Sequence, residues 1–335
     1  MYPSKMIYFV LFILLMQSCI KRIDGPIDIP KSNYPTIEID MGYNLSTYTK
    51  KVFYDIESEQ VVQRLNSEDW DIGITTHPEL EKKFIINYAN GVPCNGFTKK
   101  TTDFTAPISE AEYQSASLSY AHPYDDQSSL FGDVLINGTL SQYVYYLNNG
   151  RNQLRKFQVI AYCQDSITIR YGSFNDNIGQ TARFAINPSQ NYTYFSFLTN
   201  SIIAAEPIDR KAWDIEFTSY TTLVTDFGGT QYYRVAGALY NPSKNDGAAK
   251  IENEVIENIS TQTAQNIVMD YTKTAIGYDW KKFSSAAQDG FYSIPKRTYI
   301  LDIAGQKYAI QFIEFSKEIN QKLERGFPTF LQRKI

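Results

Sequence analysis

Apolar and polar residues alternate with period two along much of this chain. "SITIRYG" (166–172) puts Ile167, Ile169 and Tyr171 on one face, as a half-buried strand does. "TIEIDMG" (36–42) and "TARFAIN" (181–187) show the same alternation. "YVYYLNNGRNQLRKFQVIAY" (143–162) and "RTYILDIAGQKYAIQFIEF" (297–315) each read as an apolar strand, a turn at Gly150 or Gly305, and a second apolar strand. Both predict β-hairpins. Helical patterning is scarce. "IENISTQTAQNIVMDYTK" (256–273) carries apolar Ile259, Ile267 and Val268, with Ser260 and Thr261 as candidate caps. "SKEINQKLERG" (316–326) predicts a short polar helix closed by Gly326. The expectation is an all-β protein of antiparallel, sandwich-like layers with one or two short helices.

The pattern also repeats. "VFYDIESEQVVQRLNSEDWDIGI" (52–74) aligns with "YFSFLTNSIIAAEPIDRKAWDIEF" (194–217). An aromatic pair opens each, a polar turn follows, and then an apolar pair, Val61-Val62 or Ile202-Ile203. Each segment then reaches Trp-Asp-Ile, at Trp70-Asp71 and Trp213-Asp214, in a chain with three tryptophans in all. The two predicted hairpins follow in the same order. Two tandem β repeats are expected, 36–178 and 179–335, with a period too long for a solenoid. The Trp-Asp pairs are read as structural: an indole beside a strand suits a core anchor, and the aspartate suits a backbone bond in the adjoining turn. Trp280 has no counterpart in the first repeat and marks an elaboration of the second.

Length and composition agree with this picture. A chain of 335 residues predicts about two domains, and 15% aromatic content favours pleated structure over disorder. A net charge of −4 leaves no basic excess to neutralise phosphates, so nucleic acid is an unsuitable partner. The N-terminus is distinctive. "MIYFVLFILLM" (6–16) is too short to span a bilayer and suits a signal-peptide core. It ends in "QSC", which resembles the relaxed lipobox of bacterial lipoproteins. That resemblance implies a signal peptide over 1–18 and acylation of Cys19, which anchors the protein to a lipid bilayer. Residues 19–35, punctuated by Pro26, Pro30 and Pro35, then form a semi-extended tether reaching about 50 Å. Cys94 and Cys163 remain, as a disulfide or as two free thiols.

The lipobox at Cys19, the "YFSF" strand followed by "WDI", and the hairpin "TYILDIAGQKYAIQFIEF" together resemble the HmuY-type lipoproteins of Bacteroidetes. "IGYDWKKFS" (276–284) and "ERGFPTF" (324–330) resemble a longer branch of that family. The resemblance covers nearly all of the mature chain. It implies an all-β, lipid-anchored outer-membrane protein that binds a ligand, with haem as the possible cofactor, and passes it to a TonB-dependent receptor. It also implies two histidine ligands, or methionines, between the Trp-Asp segment and the terminal hairpin.

The residues available for that chemistry are few. A bis-histidine site needs two imidazoles on opposite faces of the haem. The chain has two histidines, His77 and His122, both in the first repeat. His122 lies in the interval the resemblance requires. Each precedes a proline, which fits a locally bonded loop histidine equally well. Met269, on the predicted helix, suits a core role. Asp125, Asp126 and Ser128 follow His122, but proximity in sequence makes no triad. "FNDNIG" (174–179) and "SKNDGA" (243–248) lack the acidic spacing of calcium loops and read as turns. No zinc-binding His-Glu-x-x-His, nucleophile elbow or phosphate loop occurs. The expectation is a binding protein rather than an enzyme, with an accessory subunit of an outer-membrane complex as the alternative.

Overall fold

The computed structural model describes residues 33–44, 47–76, 83–91, 94–123, 135–136, 139–151, 153–226, 229–284 and 290–335. These form an antiparallel all-β body built on two outer and two inner sheets, with three two-stranded sheets besides. The five-stranded outer sheet runs in the order Thr36–Glu38, Lys322–Lys334, Gln306–Ile319, Arg297–Ile303, Asn245–Glu252. The six-stranded outer sheet runs Gln180–Ala185, Ser166–Ser173, Leu154–Cys163, Val144–Asn149, Cys94–Lys99, Ser119–Tyr120. Both expected hairpins, 143–162 and 297–315, lie inside these sheets, and their turns use Gly150 and Gly305 at φ +76° and +83°.

The two inner sheets are assembled by exchange. Each half of the chain folds two hairpins, one before and one after its Trp-Asp pair. In the first half these are Lys50–Asp55 with Gln60–Asn66, and Ile72–Thr75 with Phe84–Ile86. In the second half they are Tyr192–Ser196 with Ser201–Ile203, and Ile215–Asp226 with Gly229–Tyr240. The leading hairpin of each half pairs with the trailing hairpin of the other. Tyr54 lies opposite Ile215 in the first inner sheet, and Phe195 lies opposite Ile72 in the second. The outer sheets repeat the theme. Thr36–Glu38 pairs with the final strand of the chain, and Gln180–Ala185 pairs with Ser166–Ser173. The halves 36–178 and 179–335 are therefore not separate bodies, since the boundary falls between hydrogen-bonded neighbours.

Burial follows from this layering. Val52, Tyr54, Ile215 and Phe217 of the first inner sheet pack against Tyr299, Leu301, Phe312 and Phe330 of the five-stranded sheet. Trp280, stacked on Phe312 at 4.2 Å, belongs to the same core. Ile72, Ile74 and Phe195 of the second inner sheet pack against Phe157, Val159, Ile167 and Ile169 of the six-stranded sheet. Each outer face is covered by a short capped helix. Glu110–Ser115 is capped by Ser109 and buries Tyr113, and Thr261–Asn266 is capped by Ser260 and buries Ala264.

Two helix expectations are corrected, and of the two readings of the cysteine pair one is selected. The helix expected over 256–273 is a 3₁₀ turn at Ile256–Asn258 followed by helix only over Thr261–Asn266. Beyond it the chain turns extended, because Asp270 exchanges two backbone hydrogen bonds with Ala248. The helix expected over 316–326 is the tip of a long hairpin. Ser316–Ile319 pairs with Lys322–Arg325 around Asn320 and Gln321, which both take positive φ. Cross-strand pairing overrides the helix propensity of this segment. Gly326 caps no helix; a Cβ there would meet the Tyr48 ring at 2.9 Å. Finally, Cys94 and Cys163 are both free thiols. They sit on strands separated by Val144–Asn149, with Cys94 buried opposite Asn149 and Cys163 exposed at the far end of its strand. Burial pushes the Cys94 thiol well above its ordinary value.

Candidate functional site

The two Trp-Asp phrases form matching junctions. The Asp71 amide donates to the Phe195 carbonyl, and its carboxylate accepts the Phe197 N–H at 2.7 Å. The Asp214 amide donates to the Tyr54 carbonyl, and its carboxylate accepts the Ile56 N–H at 2.7 Å. Each aspartate thus clamps the leading hairpin of the opposite half. An asparagine completes each junction. Asn87 donates to the Trp70 and Ser67 carbonyls, and its amide donates to the Asp71 carbonyl. Asn241 does the same with the Trp213, Arg210 and Asp214 carbonyls. Trp70 and Trp213 are fully buried, edge-on to Tyr194 and Phe53 respectively. Their indole N–H groups find no hydrogen-bond partner among the described residues. Trp70, Asp71, Trp213 and Asp214 thus stand at the two places where hairpins of opposite halves meet. Asn87 and Asn241 escaped sequence reading because the second trailing hairpin is much longer, which hides their equivalent place after it.

The surroundings of the two aspartates differ. Asp71 also accepts from the Asn149 side-chain amide at 2.9 Å. Asp214 instead faces Lys244, whose Nζ lies 2.5 Å from Asp55, 3.2 Å from Asp214 and 3.3 Å from Glu57. Burial pushes the Asp214 carboxyl up to about 7, against the pull of the Ile56 N–H and Lys244.

A second polar cluster occupies the seam between the inner sheets. Lys51, Glu206, Glu216 and Lys273 are all buried there beside Tyr88, Tyr192 and Tyr194. Glu216 lies 3.2 Å from Lys51 Nζ and 3.7 Å from Lys273 Nζ, and accepts from the Tyr88 hydroxyl. The Lys51 ammonium also sits 5.2 to 5.5 Å from the Tyr194, Tyr88 and Trp70 ring centres. Such ring faces attract a desolvated cation.

His122 is half-buried in coil, and its Nδ1 donates to the Thr221 carbonyl at 3.0 Å. That bond leaves Nε2 as the basic nitrogen of the neutral ring, the arrangement ligating histidines commonly use. His77 lies outside the described residues, as do Cys19, Asp125, Asp126 and Ser128. Met269 is half-buried and lies beyond the end of the helix. Among the described residues one imidazole is present, short of the pair a bis-histidine haem site needs, and no cluster of three metal-ligating side chains occurs.

Thr221 marks the root of a projecting arm. The strand Ile215–Asp226 pairs with Lys50–Asp55 only over Ile215–Phe217, but with Gly229–Tyr240 along its whole length. The root is pinned by the Thr221 amide on the Tyr88 carbonyl and by Arg234 on the Ala89 carbonyl. Further out, Leu223 and Tyr232 are cross-strand partners, 52% and 36% exposed, and Tyr233 is 50% exposed. Tyr120 stacks on Tyr232 at 4.0 Å, close to His122 in sequence. Elsewhere, an open groove of about 400 Å³ lies between the edge strands Gln180–Ala185 and Ser201–Ile203, over the stacked Phe184 and Phe195 rings. No helix among the described residues is long and apolar enough to cross a membrane.

Comparison with protein-family models, with curated proteins and with solved structures finds no match.

Proposed function

We propose that this chain is a lipid-anchored, non-catalytic binding protein of the outer membrane, which uses the arm rooted at Thr221 to engage an outer-membrane partner. The observation that carries this reading is the exposure of Leu223 and Tyr232 on one face, and of Tyr233 on the other, of a hairpin that extends past its own sheet. Exposed aliphatic and aromatic groups held on a rigid element are typical of interaction surfaces. The segment 222–233 carries Asp226 as its only charged residue, which suits an apolar protein contact better than an anionic headgroup. The lipobox resemblance at Cys19 supports the anchor, and the HmuY-type resemblance supports a TonB-dependent receptor as the partner. The two similar Trp-Asp-Asn junctions support an origin of the chain by duplication.

Ligand capture is the second reading, with haem as the ligand suggested by the family resemblance. It is favoured by the Nδ1 bond of His122 at the foot of the arm. Two measurements separate the readings. Native protein solubilised from membranes should co-purify with a membrane protein, and Tyr232→Ser with Tyr233→Ser should abolish that. A protein that runs only as a free monomer would sink the docking reading. Hemin titration of the mature protein should give a saturable Soret shift that weakens in His122→Ala. Absence of a saturable change removes haem.

A further inference from the structure

The seam between the inner sheets is where the internal likeness of the halves breaks down. The registers equate Phe53 with Tyr194 and Ile215 with Ile72. Lys51 therefore takes the place of Tyr192, and Glu216 the place of Gly73. One inner sheet presents a lysine and a glutamate; the other presents two tyrosines and a glycine. At Gly73 a Cβ would crowd Ile85 at 3.0 Å and the Tyr194 ring at 3.2 Å. Two further ionisable groups close the seam, Glu206 after strand Ser201–Ile203 and Lys273 on the segment before Trp280.

The two glutamates are held differently. Glu216 lies against both ammonium groups. Burial would raise its carboxyl, but Lys51 and Lys273 overcome that and hold it below the ordinary range. Glu206 is 3% exposed and accepts the Tyr192 N–H at 2.8 Å and the Tyr194 hydroxyl at 3.5 Å. Burial pushes it up to about 7, against the Tyr192 N–H, Lys51 and Lys273. The groups facing Glu206 are thus Tyr192 and Tyr194 from its neighbouring strand, Lys51 from the opposing sheet, and Lys273. Tyr88 and Glu216 stand behind them.

We infer that this seam is a proton-operated lock, with Glu206 as the moving part, and that it governs how firmly the exchanged hairpins are held together. The cluster crosses between the halves at Glu216, which meets Lys51 and Tyr88, and at Glu206, which faces Lys51 while hydrogen-bonding Tyr192 and Tyr194 of its own half. Lys51 and Tyr88 belong to the first half, and Glu206, Glu216, Lys273, Tyr192 and Tyr194 to the second. The sign follows from linkage. The unfolded chain ionises Glu206 at an ordinary glutamate value near 4.5, and the folded body does so at about 7. Between those values the folded state holds the extra proton, so stability falls as pH rises through about 7. The lock is tight in mildly acidic medium and loosens in alkaline medium.

The test is urea unfolding of the soluble mature chain between about pH 5.5 and about pH 8.5. Asp214 responds in the same range, and the buried Lys281, which burial lowers to about 7, responds there with the opposite sign, so the comparison uses an Asp214→Asn, Lys281→Met background. There, the folding equilibrium constant of the Glu206 protein relative to its Glu206→Gln counterpart should fall at least about tenfold across the window, a ratio from which the opposing response of Lys51 drops out. Adding Glu206→Gln, which mimics the neutral carboxyl, should flatten that dependence and raise stability at the alkaline end. An unchanged pH dependence in the Gln variant overturns the proposal. Should that variant fail to fold, infrared difference spectra of the Asp214→Asn protein across the same window decide. A buried protonated carboxyl band lost on alkalinisation supports the lock, and its absence overturns it.

Discussion

At Asp71 and Asp214 the same backbone work is done in different company. Both carboxylates clamp an amide of the opposite half, and both sit beside a buried indole and an asparagine that binds the indole residue's carbonyl. Asp71 shares its charge with the neutral Asn149 amide. Asp214 shares its charge with Lys244, Asp55 and Glu57. The common part is what the exchange of hairpins needs: a turn fixed to a foreign strand. The differing part is local electrostatics, free to vary once the backbone amide is satisfied. A repeated phrase in a sequence therefore reports the shared backbone task, and its neighbours report the local electrostatics of each site.

The strongest challenge to this equivalence is truncation of the indoles. Trp70→Ala and Trp213→Ala should each cost about 3–5 kcal/mol, measured as the shift in urea midpoint at constant slope. A large cost at one site and a negligible one at the other would break the comparison. Next come the asparagines. Asn87→Ala and Asn241→Ala each strand two buried carbonyls, and should each cost roughly 2–3 kcal/mol. Similar values at the two sites sharpen the equivalence of the junctions.

The aspartates should then differ in pH response. The folded Asp214 carboxyl titrates at about 7, above its unfolded value. Its stabilising contribution is fully present below the unfolded value and lost as pH rises through about 7. Asp214→Asn should remove up to one proton's worth of slope from the stability profile between about pH 5 and about pH 8. A profile unchanged by that substitution would contradict the distinction drawn between the sites. The smallest effects on stability are expected on the arm: Tyr232→Ser, which loses the Tyr120 stack, should cost about 0.5–1.5 kcal/mol, and Tyr233→Ser should stay within about 0.5 kcal/mol, while on the docking reading partner binding is lost.

Strands, hairpin turns and the two Trp-Asp phrases were legible because alternation and turn glycines are local signals. Even the alignment of Val61 with Ile202 matches the registers, since Val61 lies opposite Tyr54 and Ile202 opposite Phe195. The exchange between halves was not legible. Periodicity shows that Tyr54 and Phe195 turn one face inward, but not which half supplies the neighbouring strand. The segment 316–326 misled for a related reason: its helix-forming composition yields to pairing with a strand that begins only after the turn. Lys51 and Glu216, far apart in sequence and ordinary in type, gave no sign of meeting in a buried cluster. His122 was singled out, and it lies at the root of the arm. Its expected companion His77 lies outside the described residues.

The pairing of Thr36–Glu38 with Thr329–Leu331 has a practical consequence. The first strand of the body lies alongside the last, so the residues that lead into Thr36 and those that follow Leu331 share one edge. On the lipid-anchored reading, a tag or fluorescent domain fused after Ile335 would emerge beside the tether, on the membrane-facing side. Tension drawn through the anchor would load the last strand first and pass straight into the second half of the chain.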